Sequence, residues 1–185
     1  MTTKNDFTVE EWEKVSALPG LVLAGAAWAD GKMVPAMREL VAGGEVLTAA
    51  AAGQPEGSVV RDIFAGATQT KPDLGDAKPE STEAAVAVMT GQIQEAFAIL
   101  SSKATDDEVA AVRSTLEATA QAVVERLGSG FWGSGSEKVS AGEQAFLDRL
   151  AQVLETGVVP EAPVDAPAVD APAVDAPAAD APAAE

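Results

Sequence analysis

Apolar side chains in the first 157 residues recur mostly at spacings of three and four, and stretches of strict alternation are scarce. That is the helical period, so the pattern predicts helices rather than strands. Thr8-x-x-Glu11 has the form of a capping box, in which the Thr hydroxyl accepts an orphan backbone N–H and the Glu returns to the cap. Val9, Trp12, Val15 and Leu18 then line one face. Pro19-Gly20 is expected to break or kink this helix, with a second apolar helix over residues 21–29 ending at Asp30-Gly31. Pro35 suits the first turn of a third helix that stops near Gly43-Gly44. Residues 45–52 read as a short helix ended by Gly53, and residues 56–65 as another with Val59, Val60, Ile63 and Phe64 apolar. Few apolar side chains and two prolines mark residues 66–79 as a loop.

The two strongest helical patterns follow. Val86, Met89, Ile93, Phe97 and Leu100 mark the first. Val109, Val112, Leu116, Ala120, Val123 and Leu127 mark the second, with Thr105-x-x-Glu108 as its cap and Gly128 placed as a C′ residue. The short connection over residues 101–105 predicts an antiparallel helical hairpin. A last helix opens at Ser140-x-x-Glu143, presents Phe146, Leu147, Leu150, Val153 and Leu154, and ends at Gly157. The expected fold is therefore all-α, a single bundle-like domain of six to eight helices over residues 1–157. Alanine supplies 39 of 185 residues. Side chains this small let helix axes approach closely, leaving Trp12, Trp28, Phe64, Phe97 and Phe146 as the large anchors of the core.

Composition changes abruptly at about Val158. Residues 158–185 repeat A-P-A-[VA]-D, with Asp165, Asp170, Asp175 and Asp180 in phase. Proline in each repeat blocks a helix or a central strand, and Ala, Val and Pro bury too little surface to offset ordering. A disordered, self-repelling acidic tail with a solubilising role is expected, and no docking element follows the repeat. The chain carries a formal net charge of −17. The six acids of the tail account for part of it, and 23 acids against 12 bases leave −11 on the rest. Such acidity disfavours phosphate contacts, so neither nucleic acid nor an anionic membrane surface is an expected partner. The most apolar stretch, residues 17–29, is shorter than the roughly 20 residues a membrane span needs. With no signal-like segment at Met1–Asp6 and no cysteine, the cytoplasm is the expected compartment.

Chemistry is limited by what is missing. No Cys and no His means no thiolate, no imidazole ligand, no disulfide and no Ser-His-Asp triad. An enzyme would need converging carboxylates or a buried Lys, with Glu39, Asp62, Glu83, Glu95 and Glu117 as the acids to follow. The segment from Gly25 to Met33 superficially resembles a phosphate loop. Five residues separate its glycines instead of four, and Met33 replaces the magnesium-binding hydroxyl. Asp73-x-x-Asp76 and Asp106-Asp107-Glu108 lack the D-x-D-x-D-G pattern of a calcium loop, and the second suits the positive end of a helix dipole. No catalytic residue, cofactor or metal ligand is assigned. The Gly/Ser-rich run over residues 128–136 holds two large aromatics, Phe131 and Trp132. They either fold back onto the core or serve as a partner-binding anchor, since exposed aromatics become hot spots.

Ala29-Asp30-Gly31-Lys32-Met33-Val34-Pro35 and the segment from Glu137 to Leu147 resemble the tellurite-resistance TerB-like family, whose helices open with turns of the form D-G-x-[IV]-x-x-x-E. The resemblance implies an all-helical fold and a cytoplasmic, stress-associated role with divalent-cation binding through carboxylates. Met37 stands at the Glu position of the first copy, and Ser136-Glu137 replaces Asp-Gly in the second. The expected function is a non-enzymatic protein-interaction or scaffold domain, with the TerB-like role as the alternative.

Overall fold

A computed structural model describes residues 1–29, 37–66, 80–128 and 139–156, without the side chains of 37–40 and 126–128. Among the described residues there are six α-helices and no strand. They are α1 (Val9–Trp28), α2 (Met37–Ala52), α3 (Val59–Ala65), α4 (Thr82–Lys103), α5 (Asp106–Gly128) and α6 (Ala141–Thr156), preceded by a 3-10 turn at Lys4–Asp6. The all-α expectation holds. Pro35, the loop over 67–79, Asp73, Asp76, Phe131, Trp132, Gly157 and the acidic repeat lie outside the described residues.

The central element is α1. Every residue from Leu18 to Leu23 is buried, followed by Gly25, Ala26 and Ala27, so its C-terminal half is enclosed on all sides. Here the expected break at Pro19-Gly20 is corrected, since α1 runs unbroken through both residues. Proline forfeits one backbone hydrogen bond and costs ~3 kcal/mol or more in a helix interior. Full burial of Leu18, Leu21 and Val22 returns roughly 1.5–3 kcal/mol each, so packing outweighs local propensity. The same correction applies at Gly43-Gly44, through which α2 also continues. Gly43 persists inside the helix because a Cβ there would meet Leu23 and Val123. The bare backbone is what lets α2 approach α1 and α5.

Residue pairs fix the directions. Glu11 meets Lys103 and Lys14 meets Glu95, so α4 runs antiparallel to α1. The N-terminal turn of α5 lies near Thr2, and Val123 lies level with Leu23 across Gly43, so α5 runs alongside α1 in its own direction. The two long helices do not form the expected hairpin. α4 packs chiefly on α1, α5 packs on α2 and α1, and the two scarcely touch each other. Extensive burial on the central helix separates what a short connection would have paired. α6 seats on α4, α5 and α1, with Gly142 against the Ala29 carbonyl and Phe146 against Gly25, antiparallel to α1.

Two boundaries differ from expectation. α3 starts at Val59 rather than residue 56, because Ser58 caps it and Gly57 turns the chain with φ of 72°. Gly128 is the last helical residue of α5 instead of lying past its end. Of the five anchors, Phe64, Phe97 and Phe146 are buried, whereas Trp12 and Trp28 are half-buried against the core.

Candidate functional site

The densest polar cluster sits where α1 and α5 begin and α4 ends. It starts from local capping. Thr8 and Glu11 close a capping box on α1, with the Thr8 N–H donating to Glu11 Oε2 at 2.7 Å. Thr105 and Glu108 do the same on α5, with the Thr105 N–H donating to Glu108 Oε2 at 3.0 Å. The second oxygen of Glu108 reaches further and accepts the Thr2 N–H at 2.8 Å. Thr2 is itself buried, and its carbonyl accepts the Val59 N–H at 2.9 Å. One carboxylate thus joins a helix cap to the N-terminal segment, which in turn holds α3.

Lys103 completes the cluster. Its ammonium donates to Glu11 Oε2 at 2.7 Å and to the Asp6 carbonyl at 3.1 Å, and lies 5.6 Å from the centre of the Phe7 ring. Phe7 in turn tilts against Trp12, over whose ring Lys4 sits. Burial opposes ionisation of Glu108, yet the hydrogen bonds from Thr105 and Thr2 prevail and hold its carboxyl at about 2. Hydrogen bonds from Lys103 and Thr8 keep Glu11 below its ordinary value, and the Thr3 N–H does so for Asp6. A hydrogen bond to Glu95 raises Lys14. Each of these shifts has a structural partner as its cause, so the cluster is a clasp.

A cleft of about 210 Å³ opens between α2 and α3. Leu47, Ala51 and Phe64 form its apolar floor, with Thr48 and Arg61 contributing polar groups. The Arg61 guanidinium is shared between the Gln54 carbonyl at 3.4 Å and Glu56 at 3.5 Å. The cleft offers a guanidinium edge beside an apolar floor, which suits a small ligand with one acceptor, and its lining holds no carboxylate for proton transfer.

The acids followed from sequence do not come together. Glu95 pairs with Lys14 at 2.5 Å, Asp62 and Glu83 lie in the first turns of α3 and α4, and Glu117 lies on α5. The Glu39 side chain falls outside the described residues. Among the described residues no three acidic side chains are grouped to hold a metal ion. Asp106, Asp107 and Glu108 occupy the first turn of α5, as the dipole reading expects. Gly25, from the phosphate-loop-like segment, is buried inside α1 against Phe146.

Phe131 and Trp132 are outside the described residues, although their flanks are not. α5 ends and α6 begins at the end of the bundle where α1 also ends, opposite the Glu108 clasp. Sequence reasoning found the capping boxes but missed the clasp. Nothing in the spacing of Thr2, Lys103 and Glu108 signals that tertiary folding gives each a second partner. α4 has the length and apolar content to cross a bilayer, with 39% of its most apolar window buried in the fold. Comparison with protein-family models, with curated proteins and with solved structures returns no match.

Proposed function

We propose that this chain is a non-enzymatic protein-interaction domain, with Phe131 and Trp132 as its contact residues and the acidic repeat as a solubilising tail. The observation that carries the proposal is the division of labour between the two ends of the bundle. At one end, Thr2, Glu11, Lys103 and Glu108 are committed to holding helices together. At the other, the segment bearing both aromatics joins α5 to α6, and aromatic side chains contribute most of the energy at protein interfaces. The test is capture of partners by the full chain and by a variant with Phe131→Ser and Trp132→Ser. Loss of the captured proteins, with the circular dichroism unchanged, supports the proposal. An unchanged set of partners refutes it.

A second reading, a TerB-like stress-associated protein that binds a divalent cation through carboxylates, draws on one contact. The two segments that resemble that family meet where Gly142 packs against the Ala29 carbonyl. Glu143, from the second segment, is buried beside that contact and accepts the Ser140 N–H at 2.6 Å. Calorimetric titration with Ca²⁺, Mg²⁺ and Mn²⁺ tests it, and absence of heat with all three removes it.

A further inference from the structure

The attachment of α6 differs from that of the other long helices. Directional polar bonds join α1 to α4 through Lys14–Glu95 and Glu11–Lys103. The side-chain hydrogen bonds of α6 close on itself or its own cap: Ser140 with Glu143, Gln144 with Asp148, Thr156 with Gln152. Among the described residues no hydrogen bond or ion pair connects α6 to another helix. Phe146, Leu150, Val153 and Leu154 hold it by apolar burial. Because α4 and α5 scarcely touch, these four side chains fill the trough between them, above α1.

Two glycine contacts give that trough a specific shape. Gly25 in α1 leaves a socket for the Phe146 ring, whose carbons lie 2.6 and 2.7 Å from where a Cβ would stand. Gly142 seats α6 directly on the Ala29 carbonyl, and a Cβ there would run into that oxygen. A backbone carbonyl inside a packed helix end cannot swing aside as a side chain can.

We infer that the trough between α4 and α5 is a helix-binding site, filled in cis by α6, which also admits a partner helix of the pattern Gly-x-x-x-aromatic-x-x-x-Leu-x-x-Val-Leu. Apolar contact is non-directional, so an incoming helix with the same face satisfies the trough as α6 does. The glycine four positions before the aromatic is the discriminating feature, because it alone clears the Ala29 carbonyl. This site is separate from Phe131 and Trp132 and stands or falls without them.

The test uses the full chain with a site-specific protease sequence inserted after Gly133. After cleavage, a fluorescein-labelled peptide of residues 139–157 is added and its anisotropy followed, with circular dichroism reporting the fold. The nicked chain should capture the peptide at least about tenfold more tightly than the uncut chain, whose tethered α6 competes at high local concentration. Peptides carrying Gly142→Ala or Phe146→Ala should lose at least about tenfold in affinity, and Gly25→Ala in the nicked chain should do the same. Absence of capture, equal capture of the substituted peptides, or collapse of the remaining helices when α6 leaves would each overturn the inference.

Discussion

Two glycines in helix interiors give opposite forecasts for the same substitution. Gly43 lies in α2 and Gly91 in α4. Replacing either by alanine gains ~1 kcal/mol of helix propensity, because glycine surrenders the most backbone entropy on folding. The surroundings then decide the sign. At Gly91 nothing lies within 4 Å of an added Cβ. Gly91→Ala should therefore stabilise the fold by about 0.5–1 kcal/mol. At Gly43 the new methyl would stand 2.8 Å from Val123 Cγ2 and 3.3 Å from Thr119 Cγ2, with Leu23 Cδ2 nearer than either. Overpacking of this kind costs typically about 1–3 kcal/mol, and here two helices crowd the site at once. With the propensity gain subtracted, Gly43→Ala should destabilise by roughly 1–2 kcal/mol. For a domain of this size each kcal/mol moves Tm by about 2–4 °C. Urea denaturation followed by far-ultraviolet circular dichroism resolves both changes as shifts in midpoint at constant slope. Equal or greater stability of Gly43→Ala would show that α2 is not seated on Leu23 and Val123. A loss for Gly91→Ala would show that the outer face of α4 is covered.

Leu116 is fully buried in α5, and Leu116→Ala should cost about 2–5 kcal/mol in the same denaturation assay. The carboxyl of Glu108 is depressed to about 2 in the fold, so its contribution is present above the ordinary Glu pKa near 4.5 and lost as pH falls toward 2. Glu108→Gln should cost roughly 1 kcal/mol at neutral pH, allowing for solvent screening, and the gap from wild type should close between about pH 4.5 and pH 2 in acid titrations of stability. Val88 is 41% exposed on α4, so Val88→Lys should leave stability within about 0.5 kcal/mol of wild type, which thermal melts will check.

What could be seen in the sequence was local. The three boxes at Thr8–Glu11, Thr105–Glu108 and Ser140–Glu143 each close within four residues, and the structure forms all three. The periodic apolar positions of α4, α5 and α6 likewise record a face that each helix must bury, and Met89, Ile93, Leu116, Val123 and Leu150 are indeed buried. Hidden from that view was which helix meets which. Pro19-Gly20 and Gly43-Gly44 look like stops because their cost is local, while the compensation comes from residues far away in sequence. Pro19 lies amid a fully enclosed run of α1, and Gly43 faces Leu23 and Val123. The hairpin expectation failed for a related reason. A short connection limits how far apart two helix ends lie, but not which neighbour has the deeper apolar surface to offer. The Glu108 clasp was hidden too, because the second use of a capping carboxylate depends on where Thr2 comes to rest.

The two ends of α1 are held by different physics, and this separation can be measured. Glu108 and Lys103 gather near Thr2 and Glu11 at its start, and Gly142 meets Ala29 at its close. From Glu11 to Ala29 the helix rises about 27 Å at 1.5 Å per residue. That is well beyond the roughly 7–10 Å over which substitutions normally couple. Glu108→Gln removes a charge and one cap interaction without touching the apolar seat of α6. Gly142→Ala forces α6 off the Ala29 carbonyl without reaching the polar cluster. The double variant should therefore lose the sum of the two single losses to within about 0.3–0.5 kcal/mol. Its acid titration should show the same narrowing as Glu108→Gln alone. A larger deviation would mean that α1 transmits strain along its length, so that displacing α6 loosens the clasp at the opposite end. The helix between them, enclosed from Leu18 to Leu23 and joined to α4 by Lys14 and Glu95, is the element that would have to carry such coupling.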